Sequence, residues 1–234
     1  MRISAAIQYD LKFQWRHGFY AAYALVTAVY LAALLSLSPE VRAVLIPYLV
    51  FTDTSVLGFF FIGGIILLER RQRTLDSLFV TPLRPREYLW SKTATLSALA
   101  VLVSLVVLLG GGQTKANIGW FLIGAVLGSI FFILIGIAVV ARSRTLNGYF
   151  FRAIVYTIVL ALPLMDYFHL VESVFFRILP TYGLIVLVSA PFRAVSFPEM
   201  GLAVINLVIW NGLAWWWAAS WFNKYVIRSI GSDL

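Results

Sequence analysis

The chain has 234 residues, of which 62% are hydrophobic and only 12% are charged, whereas a soluble domain has roughly 45–50% apolar and about 25% charged residues. This composition argues against a water-soluble fold. The net charge of +8 does not indicate nucleic-acid binding, because the basic residues stand in short segments beside apolar runs, where anionic lipid accounts for them. Cysteine is absent, which excludes disulfides and thiolate chemistry.

The first element carries four apolar residues at strict i, i+4 spacing: Ile3, Ile7, Leu11 and Trp15. This spacing, with basic residues on the other side of the helical wheel, predicts a helix over residues 1–18 that lies in the membrane interface. The alternative is a basic leader that only orients the first membrane span.

Six apolar runs follow, each close to the ~20 residues that a helix needs to cross about 30 Å of hydrocarbon. Their predicted bounds are 19–37, 44–68, 93–109, 118–141, 150–170 and 203–222. The apolar stretch between the fifth and sixth runs contains Arg177 and Pro180, which favours a re-entrant hairpin over residues 171–200. We therefore predict an all-α polytopic membrane protein with six transmembrane helices, formed by one domain over residues 1–234.

The 18 lysine and arginine residues predict the orientation, because loops on the cytoplasmic side are enriched in them. In the six-span arrangement four of them, Arg42, Lys115, Arg177 and Arg193, lie on one face, which leaves 14 on the other. Both termini and the loop over residues 69–92 are therefore expected in the cytoplasm, and the hairpin outside. The expected location is the inner (plasma) membrane.

The loop reads ERRQRTLDSLFVTPLRPREYLWSK over residues 69–92. It predicts a short helix with Leu75, Leu78 and Phe79 on one apolar side, ended by Pro82 and Pro85. An apolar face on a cytoplasmic helix needs a surface to dock on. The alternative is a basic loop that only sets the topology.

The order of residues in this loop is Glu, basic residues, Thr-Leu-Asp, a hydrophobe, Thr-Pro-Leu, Glu and Lys. These positions are Glu69, Arg70, Thr74, Leu75, Asp76, Leu78, Thr81, Pro82, Leu83, Glu87 and Lys92. The order resembles the first cytoplasmic loop of type-2 ABC permeases, which are membrane subunits of exporters, some of the drug-efflux type. Arg73 and Ser91 stand where that family often has glycine. The layout of the whole chain resembles the family as well.

The resemblance implies a transport subunit that is not itself an enzyme. In that family the loop helix docks on a separate ABC ATPase, and closure of two ATPases on ATP moves two permeases between inward-open and outward-open states. The residues expected to couple to the ATPase are Glu69, Arg70, Thr74, Leu75, Asp76, Leu78, Phe79, Thr81, Pro82 and Glu87. The second permease is another copy or a sister chain, in the same lipid bilayer.

The chain has no GxxxxGK[ST] phosphate loop, since the glycine cluster before Lys115 has the wrong spacing. We therefore expect no directly bound cofactor, with ATP and Mg held by the partner ATPase. No metal-binding or catalytic cluster of side chains stands out, which argues against an intramembrane enzyme.

Asp53 lies inside the second span, where a carboxylate costs a few kcal/mol unless it is paired or hydrated. Two interpretations remain open. Asp53 lines a translocation path with Thr54 and Phe60 and contacts cationic or polar substrate groups, or it bonds to a neighbouring helix.

The short loops and aromatic spans favour export of a hydrophobic or amphipathic, drug-like compound. The alternatives are a lipid or glycoconjugate exporter of the same family and an ATP-independent secondary transporter. Secondary transporters commonly show repeated halves and interrupted helices, and neither is evident in the sequence.

Overall fold

The structure is a computed structural model that describes residues 2–112, 117–143 and 145–227, and only the backbone of residues 2, 76, 79 and 80. Within these ranges the regular structure is helical, which confirms the all-α prediction. The α-helices are α1 Arg2–Arg16, α2 Phe19–Leu35, α3 Pro39–Val56, α4 Ile62–Arg71, α5 Thr74–Val80, α6 Pro85–Gly110, α7 Ile118–Ala141, α8 Leu146–Leu160, α9 Pro163–Tyr167, α10 Pro180–Ser189 and α11 Phe197–Phe222.

Four helices in the described part of the chain are long and apolar enough to cross a membrane: Pro39–Arg71, Pro85–Gly110, Ile118–Ala141 and Phe197–Ile227. The first of these joins α3 and α4 through a π-helical turn, and we call it the α3–α4 helix. A fifth crossing results when α1 and α2, which meet at 65°, are counted as one bent span. The chain is therefore a membrane protein with four or five candidate spans, and the four long helices correspond to the predicted second, third, fourth and sixth spans.

The predicted fifth span over residues 150–170 is divided in the structure. α8 has 15 residues and is about 22 Å long, which is less than the ~30 Å thickness of a hydrocarbon core. The chain turns after Leu160, and Pro163 begins the short helix α9. A proline inside a longer helix would remove a backbone hydrogen bond and clash with the preceding turn, so the break falls here.

The predicted hairpin region contains a 3-10 turn at Val174–Ile178 and the helix α10. Arg177 lies in the 3-10 turn and Pro180 is the first residue of α10, so neither residue interrupts the helix. Residues 183–190 are buried against α7 and α11.

α7 forms the centre of the bundle. Residues 131–141 are all buried, and the helix packs on α6, α10, α11 and the α3–α4 helix. Large apolar side chains elsewhere point outward, including Leu25 on α2, Phe151 on α8 and Trp216 on α11. An exposed apolar surface of this kind marks contact with lipid or another membrane protein.

Gly58 and Gly136 allow the α3–α4 helix and α7 to approach at backbone distance. A Cβ atom at Gly136 would lie 1.7 Å from the carbonyl oxygen of Gly58. Beside this contact, the π turn at Leu57–Phe61 leaves the carbonyl of Phe59 to accept a hydrogen bond from the buried Tyr149 hydroxyl of α8.

Gly136→Ala should lower the stability of the bundle, because the added methyl group would force two backbones apart. We expect the free energy of unfolding to fall by about 1–3 kcal/mol or more, measured as a lower thermal midpoint in mild detergent. Gly64→Ala on the α3–α4 helix is the matched control, since nothing lies within 4 Å of its added Cβ. Equal midpoints for the two variants would contradict this packing.

Candidate coupling and translocation site

The loop between the α3–α4 helix and α6 holds the short predicted helix, which the structure places at α5, Thr74–Val80. Arg73 precedes α5 with φ 54°, in the left-handed region that glycine adopts at least steric cost. In the type-2 ABC permease loops that this loop resembles, this position often carries glycine. At the other end, the backbone N–H of Arg84 donates to Glu87 Oε2 at 2.8 Å, which caps the start of α6.

The apolar side of α5 packs on the bundle of its own chain. Leu75 is only 1% exposed, and Leu78 is half-buried against the same core. The side chains of Asp76 and Phe79 lie outside the described structure. Leu75 therefore holds α5 to the bundle, and any contact that it makes with a partner is indirect.

The outward side of the loop is polar. Ser77 and Thr81 are exposed, and so is Pro82, whereas Thr74 is half-buried. The Thr81 hydroxyl donates to the carbonyl of Leu78 at 2.5 Å and thereby closes the last turn of α5.

The base of the loop is held by a buried ion cluster that the sequence did not predict. Lys92 Nζ lies 2.5 Å from Asp10 Oδ1 of α1 and 2.5 Å from Glu69 Oε1 of α4. Lys92 and Glu69 are 0% exposed and Asp10 is 2% exposed. We call these three residues, with Tyr88 and Ser91, the Lys92 cluster.

Two hydroxyl groups donate to the carboxylate oxygens that Lys92 does not contact. Tyr88 donates to Glu69 Oε2 at 2.5 Å, and Ser91 donates to Asp10 Oδ2. Buried charges are tolerated when they are paired and hydrogen-bonded in this way. The cluster joins α4 and α6, which precede and follow the loop, to α1.

Glu69 is one of the residues expected to couple to an ATPase, and its carboxylate lies against Lys92 inside the bundle. Asp10, Tyr88 and Ser91 were missed altogether. Asp10 is the one acidic residue among residues 1–18, and that isolation was the available signal.

Arg70 ties the same end of the bundle to α7. Its guanidinium donates to the carbonyls of Ser143 at 2.8 Å and Ala141 at 3.2 Å, and Arg152 donates to the carbonyl of Arg142 at 3.1 Å. The last carbonyls of a helix carry partial negative charge and lack intrahelical partners, so cations stabilise them. Arg70, like Glu69, is expected to couple to an ATPase, and it contacts other helices of its own chain.

The three residues predicted for a translocation path have different surroundings. The Thr54 hydroxyl donates to the carbonyl of Val50 at 2.9 Å within its own helix. Phe60 is 38% exposed and packs on Phe150 of α8, with ring centroids 5.4 Å apart. Asp53 is 3% exposed, and its Oδ2 has no hydrogen-bond partner among the described residues.

An apolar cleft of about 570 Å³ opens between α2 and α6, with α1 at one end. It is lined by Leu11, Tyr20, Tyr23, Ala24, Thr27, Ala28, Leu31, Thr95, Ala98, Leu99, Leu102, Val103 and Val106. We call it the α2–α6 cleft. Its volume falls within the roughly 300–1,000 Å³ of pockets that hold drug-sized molecules.

A helical membrane bundle with a loop helix held at one end and a drug-sized apolar cleft is compatible with a transport subunit. The chain belongs to the fluoroquinolones export permease protein family, whose sequence pattern matches residues 1–230. It is 30% identical over 237 aligned positions to fluoroquinolones export permease proteins from two strains of Mycobacterium tuberculosis, covering 98% of this chain and 98% of each relative. The match confirms an export permease and is consistent with the type-2 ABC resemblance of the loop.

Lys92→Met should destabilise the protein strongly, because it leaves two buried carboxylates without a counter-ion. Breaking a buried ion pair from one side costs about 3–5 kcal/mol, so a large fall in the thermal midpoint in detergent is expected.

The triple variant Asp10→Asn, Glu69→Gln, Lys92→Met removes all three charges and should recover most of that loss. A single variant as stable as the parent, or a triple variant no better than the single one, would contradict the role of the cluster.

Proposed function

We propose that the protein is the membrane-spanning permease subunit of an ATP-driven exporter in the inner (plasma) membrane. It moves an amphipathic, drug-like compound out of the cytoplasm or the inner leaflet. The names of the relatives support a fluoroquinolone as the type of cargo. The observation that carries the proposal is the Lys92 cluster, which joins α1, α4 and α6 at the base of the loop that holds α5.

The coupling follows from that geometry. An ABC ATPase subunit docks on the outward side of α5, around Ser77 and Thr81, and pushes on it when ATP and Mg bind between two such subunits. Because Leu75 and the Lys92 cluster hold α5 to α1, α4 and α6, the push moves whole helices instead of bending the loop. A second permease, identical or a sister chain, completes the pathway, and alternating access results.

We further propose six crossings, formed by α2, the α3–α4 helix, α6, α7, α8 with α9, and α11. Hydrogen bonds between helix ends support this arrangement. Arg70 joins the end of α4 to the end of α7, which six crossings place on the cytoplasmic side. Arg42 joins the start of α3 to the carbonyl of Gly111 after α6, and the Tyr167 hydroxyl joins the end of α9 to Val44, which six crossings place outside.

The hairpin between α9 and α11 re-enters the bundle in this arrangement. The indole N–H of Trp210 donates to the carbonyl of Ile178 at 2.9 Å. Trp210 is 13 residues after Phe197, the first residue of α11, which corresponds to about 20 Å along the helix axis. Ile178 thus lies at depth beside α11, and both chain termini stay in the cytoplasm.

Transport can be measured in everted membrane vesicles from the native host, with the native partner subunits present. The proposal expects fluoroquinolone uptake that requires ATP, stops with vanadate and persists with a proton ionophore. Uptake that a proton gradient drives without ATP would favour a secondary transporter instead. Vesicles that move lipid or glycoconjugate but no drug would favour the other exporter class.

Ser77→Trp should reduce ATP-driven uptake by about tenfold or more, because a large side chain then occupies the surface where the ATPase docks. Ser36→Trp is the matched control, since Ser36 is also an exposed serine and lies at the opposite end of the bundle. Equal uptake and equal co-purification of the ATPase for both variants would refute the docking surface.

A further inference from the structure

The α2–α6 cleft has the length of one leaflet of a membrane. Its lining residues run from Tyr20 to Leu31 along α2 and from Thr95 to Val106 along α6. At 1.5 Å per residue, each of these segments rises by about 16 Å, which is roughly half of the ~30 Å thickness of a hydrocarbon core. The cleft therefore matches the depth that a lipid acyl chain occupies in a bilayer.

The wall of the cleft is apolar and accessible from outside the bundle. Ala24, Ala28 and Ala98 line it and are exposed, so small side chains leave the space between the two helices open. The hydroxyls of Thr27 and Thr95 donate to carbonyls of their own helices, at 2.7 Å and 3.0 Å. Because these hydroxyls are satisfied, the wall favours a hydrocarbon chain over a polar group.

An exposed tryptophan marks the end of the cleft that lies beside α1. Leu11 and Tyr20 line this end. The ring of Trp15 lies 6.0 Å from the ring of Tyr20, between centroids, and Trp15 is 76% exposed. Tryptophan and tyrosine are enriched where hydrocarbon meets the lipid headgroups. The α1 end of the cleft is therefore expected at the level of the headgroups.

The same end of the cleft carries an unopposed positive charge. Lys12 directly follows Leu11, and Arg16 directly follows Trp15; both basic residues are exposed. Neither takes part in an ion pair within the described part of the chain. The acidic residue of α1, Asp10, is held inside the Lys92 cluster and does not neutralise them.

We propose that the α2–α6 cleft binds one acyl chain of an anionic phospholipid, whose phosphate lies at Lys12 and Arg16. The inference goes beyond the proposed function, because the lipid is a bound component of the protein and not the exported compound. It holds whatever the cargo is.

Length and charge together select this occupant over others that an apolar groove admits. A second copy of the chain carries a net charge of +8, and a cationic amphiphile is also positive, so both would be repelled at the α1 end. A phosphate accepts charge-assisted hydrogen bonds from lysine and arginine. Anionic lipids are concentrated in the cytoplasmic leaflet, which is where the six-crossing arrangement places α1.

The test is native mass spectrometry of the full chain, purified in mild detergent, stripped of lipid and titrated with defined probes. Dioleoylphosphatidylglycerol and dioleoylphosphatidylcholine share their acyl chains and differ in headgroup charge. The first molecule of phosphatidylglycerol should bind about tenfold or more tightly than the first molecule of phosphatidylcholine, as expected for two basic residues at an anionic headgroup. Glycerol 3-phosphate, which lacks acyl chains, should not compete at the same concentrations.

The double variant Lys12→Gln, Arg16→Gln tests the headgroup site. It should bring the affinities for the two lipids within about threefold of each other, because only the charge attraction is removed. Arg84→Gln with Arg86→Gln is the matched control, since these two arginines are also exposed and lie outside α1. The control should keep the preference of the parent.

Ala28→Trp tests the acyl-chain site, because the indole fills the cleft. It should abolish the tightest lipid-binding event. Ala22→Trp on the same helix is its control, since Ala22 is exposed and does not line the cleft. The two charge variants alter only exposed side chains, so they decide the inference even where a tryptophan variant does not fold.

Loss of the lipid preference in Lys12→Gln, Arg16→Gln, with its retention in Arg84→Gln, Arg86→Gln, supports the inference. Equal affinities of the parent for the two lipids, or an unchanged preference in the α1 variant, overturn it. A folded Ala28→Trp variant that binds lipid as tightly as Ala22→Trp also overturns it, as does competition by glycerol 3-phosphate, which would show a phosphate site without a place for the chain.

Discussion

One buried lysine on α6 joins α1 and α4 at the base of the loop that holds α5. Lys92 lies between Asp10 and Glu69, and each of these residues comes from a different helix. Because all three are removed from water, the cluster is stable only while the three helices stay together. The loop helix α5 is held to this bundle by the buried side chain of Leu75, so we expect it to move together with α1, α4 and α6.

This constraint links the loop that holds α5 to the α2–α6 cleft. α1 contributes Asp10 to the Lys92 cluster and Leu11 to the α2–α6 cleft, and α6 contributes to both as well. In addition, Gln14 of α1 donates at 3.0 Å to Thr95 of α6, which lines the cleft. A displacement of α5 by an ATPase would therefore reach the walls of the cleft through rigid helices, without a separate hinge in the loop.

The sequence predicted the elements better than their partners. The pattern that ends at Pro82 placed α5 correctly, and hydrophobicity located the four long spans. The predicted fifth span is not one continuous helix, because Pro163 breaks it. Periodicity predicted that Leu75 faces an apolar surface, but it did not distinguish a surface of the same chain from a surface of a partner. No local pattern pairs Asp10 with Lys92, which is 82 positions away. Six crossings, the interfacial placement of residues 1–18 and coupling to ATP stay predictions.

The most direct test is a distance measurement on the chain, which has no native cysteine to interfere with labelling. Spin labels on cysteines at Gln8 of α1 and Ser77 of α5, both exposed, report whether the loop and α1 move together. In the complete transporter we expect one narrow distance distribution that is the same without nucleotide and with ATP and vanadate. A distribution that broadens or shifts by several ångströms between those states would show that the Lys92 cluster does not hold the loop, and would contradict the account.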